Sequence, residues 1–141
     1  MSKVVRIGRA AIPPLELATG MNTTYNVCQE TVGSQMLRMG VCHHAPDMAD
    51  MKWQGKAEES FYVAKGSIRV AWDDGRGDSG EATIREGEQI FLPPGYQYTL
   101  KATGEPAVNV FAIAGGATDV SAIKGPEAAA RLRTAAQKLA H

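Results

Sequence analysis

Turn-forming residues recur so often between Gln35 and Ala114 that no long helix fits there, and this spacing constrains the fold more than any other feature. Gly33-Ser34, Pro46 in the polar Ala45–Asp50 connection, Gly66, Asp73 to Gly80, Glu86-Gly87-Glu88 and Pro93-Pro94-Gly95 each mark a turn or loop. Between them lie short runs such as Phe61-Tyr62-Val63, Ser67–Trp72, Ala82–Arg85, Ile90-Phe91-Leu92, Tyr96–Lys101 and Pro106–Ala114, which read as strands. Many short strands and one terminal helix predict an all-β sandwich or barrel.

The ends differ from this middle. Lys3–Ile7 can form a short strand, after which Gly8, Pro13, Pro14 and Gly20 break regular structure, so an arm lying over the barrel is expected. After Gly115-Gly116, the Gly125-Pro126-Glu127 sequence places proline at a first helical position, and Ala129, Leu132, Ala136 and Leu139 form a thin apolar stripe. That helix should dock on the barrel or on a partner subunit. The expected organisation is one domain: arm and first strands over 1–34, barrel core over 35–116, tail and helix over 117–141. A chain of 141 residues suits this.

Fifteen basic side chains balance fifteen acidic ones, so no net field favours nucleic acid or an anionic membrane. No long apolar run marks a leader or a membrane span, and Cys28 and Cys42 form no C-x-x-C pair. A soluble cytoplasmic protein is expected. The glycine-rich Asp73–Gly80 loop lacks the lysine of a phosphate-binding loop and joins two strands, so it reads as a hairpin connection.

Alternation over Gln35–His44 sets Leu37, Met39, Val41 and His43 on one face and Met36, Arg38, Gly40, Cys42 and His44 on the other. The first set is expected to face the core. Lys52 and Gln54 should share one face of a strand, and Glu59, Phe61 and Val63 one face of the next.

Glu59 with Gly66, followed by Gly87, Pro93 and Gly95, resembles the paired motifs of the cupin superfamily, G-x5-H-x-H-x(3,4)-E-x6-G and G-x5-P-x-G-x2-H-x3-N. The resemblance implies a double-stranded β-helix, the jelly-roll barrel of cupins, carrying the arm and the C-terminal helix. It also implies a homodimer with the arm and helix as contact elements. The Met51-Lys52-Trp53-Gln54 segment before Glu58-Glu59 is similar to a histidine-poor branch, the ethanolamine-utilization cupins and relatives of ureidoglycine aminohydrolase.

The metal histidines of the motifs are replaced. Counting back four from Glu59 puts Lys52 and Gln54 at the His-x-His positions, and counting on from Gly95 puts Tyr98 at the third. The resemblance aims these residues into the barrel mouth, with Glu59 and Tyr98 as base and acid, Lys52 catalytic or clamping an anion, and Gln54, Phe61 and Tyr96 against substrate. The expectation is an enzyme of lyase, isomerase or hydrolase type acting on a small polar metabolite by acid–base chemistry without the three-histidine metal centre, its cofactor open between none and a divalent metal.

Other readings stand beside it. Glu59 and Lys52 could form an internal ion pair, or Lys52 could turn outward into solvent. A divalent metal could be held by His43 and Glu59, with Asp47 or Asp50, since imidazole suits transition metals. A noncatalytic metabolite-binding protein is the third.

Overall fold

The computed structural model describes residues 3–115 and 118–139. Two antiparallel sheets face each other. The larger has the order β1 (Leu15–Ala18), β2 (Met21–Val27), β3 (Leu37–His44), β10 (Ala107–Ala114), β5 (Glu58–Lys65) and β8 (Gln89–Leu92). The smaller has the order β4 (Met51–Gln54), β9 (Gln97–Lys101), β6 (Ser67–Asp73) and β7 (Ser79–Arg85). This is the expected all-β jelly roll. A one-turn helix α1 (Gln29–Val32) follows β2, and α2 (Ser121–Ala136) closes the chain. The boundary expected at 116/117 lies outside the described residues. Among the described residues no helix is long and apolar enough to cross a membrane.

The main core fills the space between the sheets, where Phe61, Val63, Val70, Leu92, Tyr98 and Leu100 meet. A second cluster forms where Ile12 of the arm, Leu15, Tyr25 and Cys28 pack against Val120 and Leu132. The arm and α2 therefore bury Ile12, Ala128, Ala129 and Leu132 within their own chain, while Val4 and Ile123 stay exposed. Gly125, at φ 84°, interrupts α2, so Pro126 opens the longer helical segment at the expected place, with Ala128, Ala129 and Leu132 buried. The Glu30 carboxylate accepts the Val120 N–H at 2.8 and 2.9 Å, which ties the start of α2 to α1.

Two strands have the opposite phase from that expected. In β3, Cys42 and His44 are buried, whereas His43 and Met39 are exposed. Both faces of β3 carry apolar residues, so alternation could not say which one is covered. In β4, Met51 and Trp53 pack against the core and Lys52 and Gln54 are exposed. Five residues, Gln54 to Glu58, separate Trp53 from Glu59. That is longer than the family spacing used for the count, and the extra residue moves every side chain of β4 to the other face.

Candidate functional site

A cavity of about 100 Å³ opens between the sheets. Met51 and Trp53 come from β4, Glu59 and Phe61 from β5, and Asn109 and Phe111 from β10. Its wall is almost entirely apolar, and Glu59 is the one carboxyl group among its described lining residues.

Strand pairing fixes Glu59. It lies opposite Ile113 on one side and Leu92 on the other, and Arg38 lies beyond Ile113, so all four occupy one face of the sheet. Trp53 Nε1 donates to Glu59 Oε2 at 2.8 Å. Burial raises the Glu59 pKa above the usual carboxylate range, opposed by the indole hydrogen bond and by the Arg38 charge. A half-buried carboxyl group is thereby moved towards the pH at which it can both take and return a proton. The Arg38 guanidinium also lies over the Tyr25 ring, 5.8 Å from its centroid.

Further along the same sheet lies a second polar group. Asn109 Nδ2 lies 2.6 Å from His44 Nε2, and His44 Nδ1 lies 2.9 Å from the Met48 sulfur. An amide donating to Nε2 leaves the imidazole proton on Nδ1, facing sulfur. Burial, followed by the neighbouring His43, pushes the His44 pKa down to about 4, so the ring is neutral. Cys42 Sγ and Thr23 Oγ1 are 3.1 Å apart, and burial pushes the thiol up to about 11. Asn109 is 2 % exposed, and its Oδ1 has no hydrogen-bond partner.

The expected quartet of Lys52, Gln54, Glu59 and Tyr98 does not converge. Glu59 and Phe61 line the cavity as expected. Lys52 and Gln54 instead line an open cleft on the outer face of the smaller sheet with Gln97 and Thr99, so Lys52 is the solvated alternative and forms no ion pair with Glu59. Tyr98 is buried but commits its hydroxyl to the Pro93 carbonyl, and its ring is packed between Trp53 and Tyr96. Gly55 permits this, since a Cβ there would sit 2.7 Å from the Tyr98 ring. Burial, then Glu59 and Tyr96, raise the phenol to about 12, which suits a wall residue better than an acid. Tyr96 is not among the residues that line the cavity, and its hydroxyl donates to Asp78 at 2.5 Å.

The donor set does not fit the metal centre that the motifs imply. Met51, Trp53 and Tyr98 occupy the inward positions of the three histidines, leaving Glu59 as a lone oxygen ligand. His43 points out of the opposite side of the sheet from Glu59, and Asp47 and Asp50 are exposed. Among the described residues no three His, Cys, Asp or Glu side chains cluster. Sequence reasoning missed Trp53, Asn109 and Arg38. The available signals were an indole two positions after Met51 and a single amide within the apolar run Ala107–Ala114.

A family model described as cupin matches residues 25–125. The chain belongs to the cupin family. Among solved structures this cupin is similar to the EutQ protein of Clostridium difficile, with 21 % identity, a TM-score of 0.52, and coverage of 67 % of this chain and 61 % of that one. It is also similar to oxalate decarboxylase of Bacillus subtilis. A form of that enzyme with one tryptophan changed to phenylalanine gives 21 % identity, a TM-score of 0.69 and coverage of 82 % of this chain and 30 % of that one. A mutant of the same enzyme altered over a four-residue segment gives 21 %, 0.72, 86 % and 32 %. The cupin thus spans less than two thirds of each of these chains, and at such identities the likeness concerns the fold. No curated protein matches.

Proposed function

We propose that this cupin holds a small organic molecule with an apolar body in the barrel cavity, and that Glu59 moves a proton on it. The observation that carries the reading is a carboxyl group with a raised pKa, set in an apolar wall and oriented by Trp53. The cavity is smaller than the ~150 Å³ that accommodates benzene in an apolar protein interior, so the enclosed part of the ligand has only a few heavy atoms.

One acid–base group favours isomerisation among the three reaction types expected. Glu59 as carboxylate takes a proton from carbon next to a carbonyl, and the C–H electron pair moves into the enolate. Protonated Glu59 exchanges its proton with solvent and returns one to a different atom, so nothing else is consumed. Hydrolysis would need a second group to position water, and Tyr98 is committed to Pro93. A cytoplasmic setting belongs to the same reading, supported by two buried free cysteines.

The test is solvent-deuterium exchange into small ketones and aldehydes, followed by NMR. The wild type should catalyse exchange, and Glu59→Gln should lose it by roughly 10²- to 10⁴-fold, the range for general acid–base catalysis. Equal exchange by both proteins would overturn the role of Glu59. Binding of these compounds, seen as a thermal shift, with no exchange in the wild type would show a noncatalytic binding protein instead.

A further inference from the structure

The Asn109 side chain is committed at one end and unanswered at the other. His44 Nδ1 faces the Met48 sulfur at 2.9 Å, and a thioether accepts hydrogen bonds without donating them. The imidazole proton therefore sits on Nδ1, Nε2 accepts, and the amide turns Nδ2 towards it. Oδ1 is left on the end away from His44. Asn109 lines the cavity, whereas His44 and Met48 do not, and its Oδ1 has no hydrogen-bond partner although the residue is 2 % exposed. A buried acceptor of this kind is unfavourable until a donor reaches it. We infer, on the reading of the cavity as a substrate site, that Asn109 Oδ1 is the specificity-determining acceptor for a hydroxyl group on the molecule held there.

The surroundings select a hydroxyl. Cys42 is the direct partner of Asn109 between β3 and β10 and of Thr23 between β2 and β3, so the three side chains form one row on the cavity wall. Thr23 Oγ1 and Cys42 Sγ are 3.1 Å apart, a contact that uses one hydrogen. Burial keeps the thiol protonated, so each group brings a hydrogen and one remains to be donated. An oxygen that donates to Oδ1 and accepts that spare hydrogen satisfies the whole row. An ammonium group donates only, and it would lie buried with no carboxylate in the row to balance it.

The register sets the length of the molecule. Glu59 stands opposite Ile113, four residues along β10 from Asn109 and one strand across. At about 3.4 Å per residue and about 4.8 Å between strands, the two backbones are roughly 14 Å apart. A contact of about 3 Å at each end leaves about 8 Å, an extended chain of six or seven atoms. Phe61 and Phe111 line the cavity between the two polar ends, so that chain is apolar. The substrate class is an unbranched hydroxy ketone or hydroxy aldehyde, with its carbonyl at half-buried Glu59 and its hydroxyl at Asn109.

Calorimetric titration of the full chain compares a seven-carbon methyl ketone ending in a hydroxyl with the same ketone ending in fluorine, which keeps the size and removes the donor. The wild type should bind the hydroxy ketone at least tenfold more tightly, and Asn109→Leu should level the two. Equal affinities in the wild type, the outcome if a water molecule already satisfies Oδ1, overturn the acceptor role. So does binding of neither ketone, or a preference that survives in Asn109→Leu. The wild-type comparison decides the matter even where that variant does not fold. Deuterium exchange into the same two ketones keeps the two proposals apart: a preference without exchange overturns the role of Glu59 and leaves that of Asn109, and exchange without a preference does the reverse.

Discussion

Glu59 and His44 lie inside the same barrel, and burial acts on both to favour the neutral form, raising one pKa and lowering the other. Their surroundings separate them. His44 has a partner on each ring nitrogen and is 4 % exposed, so its titration reports on folding. Glu59 has one hydrogen bond from Trp53, leaving carboxylate capacity to spare beside a cavity. Desolvation acts on a group with both partners internal in one case and, in the other, on the group proposed for chemistry beside a cavity.

The strongest way to break this contrast is to remove the imidazole. His44→Ala should cost about 3–4 kcal/mol, since it leaves a void and strips the Asn109 amide of its partner; denaturant unfolding measures it, and a loss below about 1 kcal/mol would contradict the structural role. The pH dependence follows from the same group. Its folded pKa lies below the unfolded value, so the unfolded chain takes up a proton first as pH falls. Stability should drop between about pH 6.5 and pH 4, by up to about 3 kcal/mol for a shift of this size. The decline should flatten in the alanine variant. Glu59 contributes with the opposite sign: its raised folded pKa favours the folded state when protonated, and that contribution is lost as pH rises through the folded value.

Trp53→Phe tests the other half. It removes a donor to the carboxylate, so the Glu59 pKa should rise further and the pH midpoint of deuterium exchange should move up with it, at a stability cost of about 1–2 kcal/mol. An unmoved midpoint would show that the indole does not set the acidity. Lys52→Ala should do least. An exposed side chain outside the cavity is worth within about 0.5 kcal/mol, and exchange should be unaffected. A tenfold loss of exchange would restore the amine to the chemistry.

Much of the fold was legible because turn chemistry is local. Gly66, Asp73–Gly80 and Pro93-Pro94-Gly95 mark strand ends whatever the rest of the chain does. Strand phase was not, because it depends on what covers each face. Met39 and Val41 look as suited to a core as Cys42 and His44 do, and only the position of the second sheet distinguishes them. In β4 one extra connecting residue was enough to exchange Lys52 and Gln54 for Met51 and Trp53. The inward placing of Glu59 was legible because a carboxyl group in a strand of Phe and Val must be compensated for its burial. Asn109 was hidden by the length of the apolar run around it.

The strand order has a consequence for synthesis. β10 is the last strand made, yet it sits between β3 and β5, so a nascent chain ending before Ala107 holds two half-sheets, each with an open edge. The β1-β2-β3 and β5-β8 halves must wait, unsealed and prone to pair with their neighbours on a polysome, until eight residues from Ala107 to Ala114 emerge and bridge them.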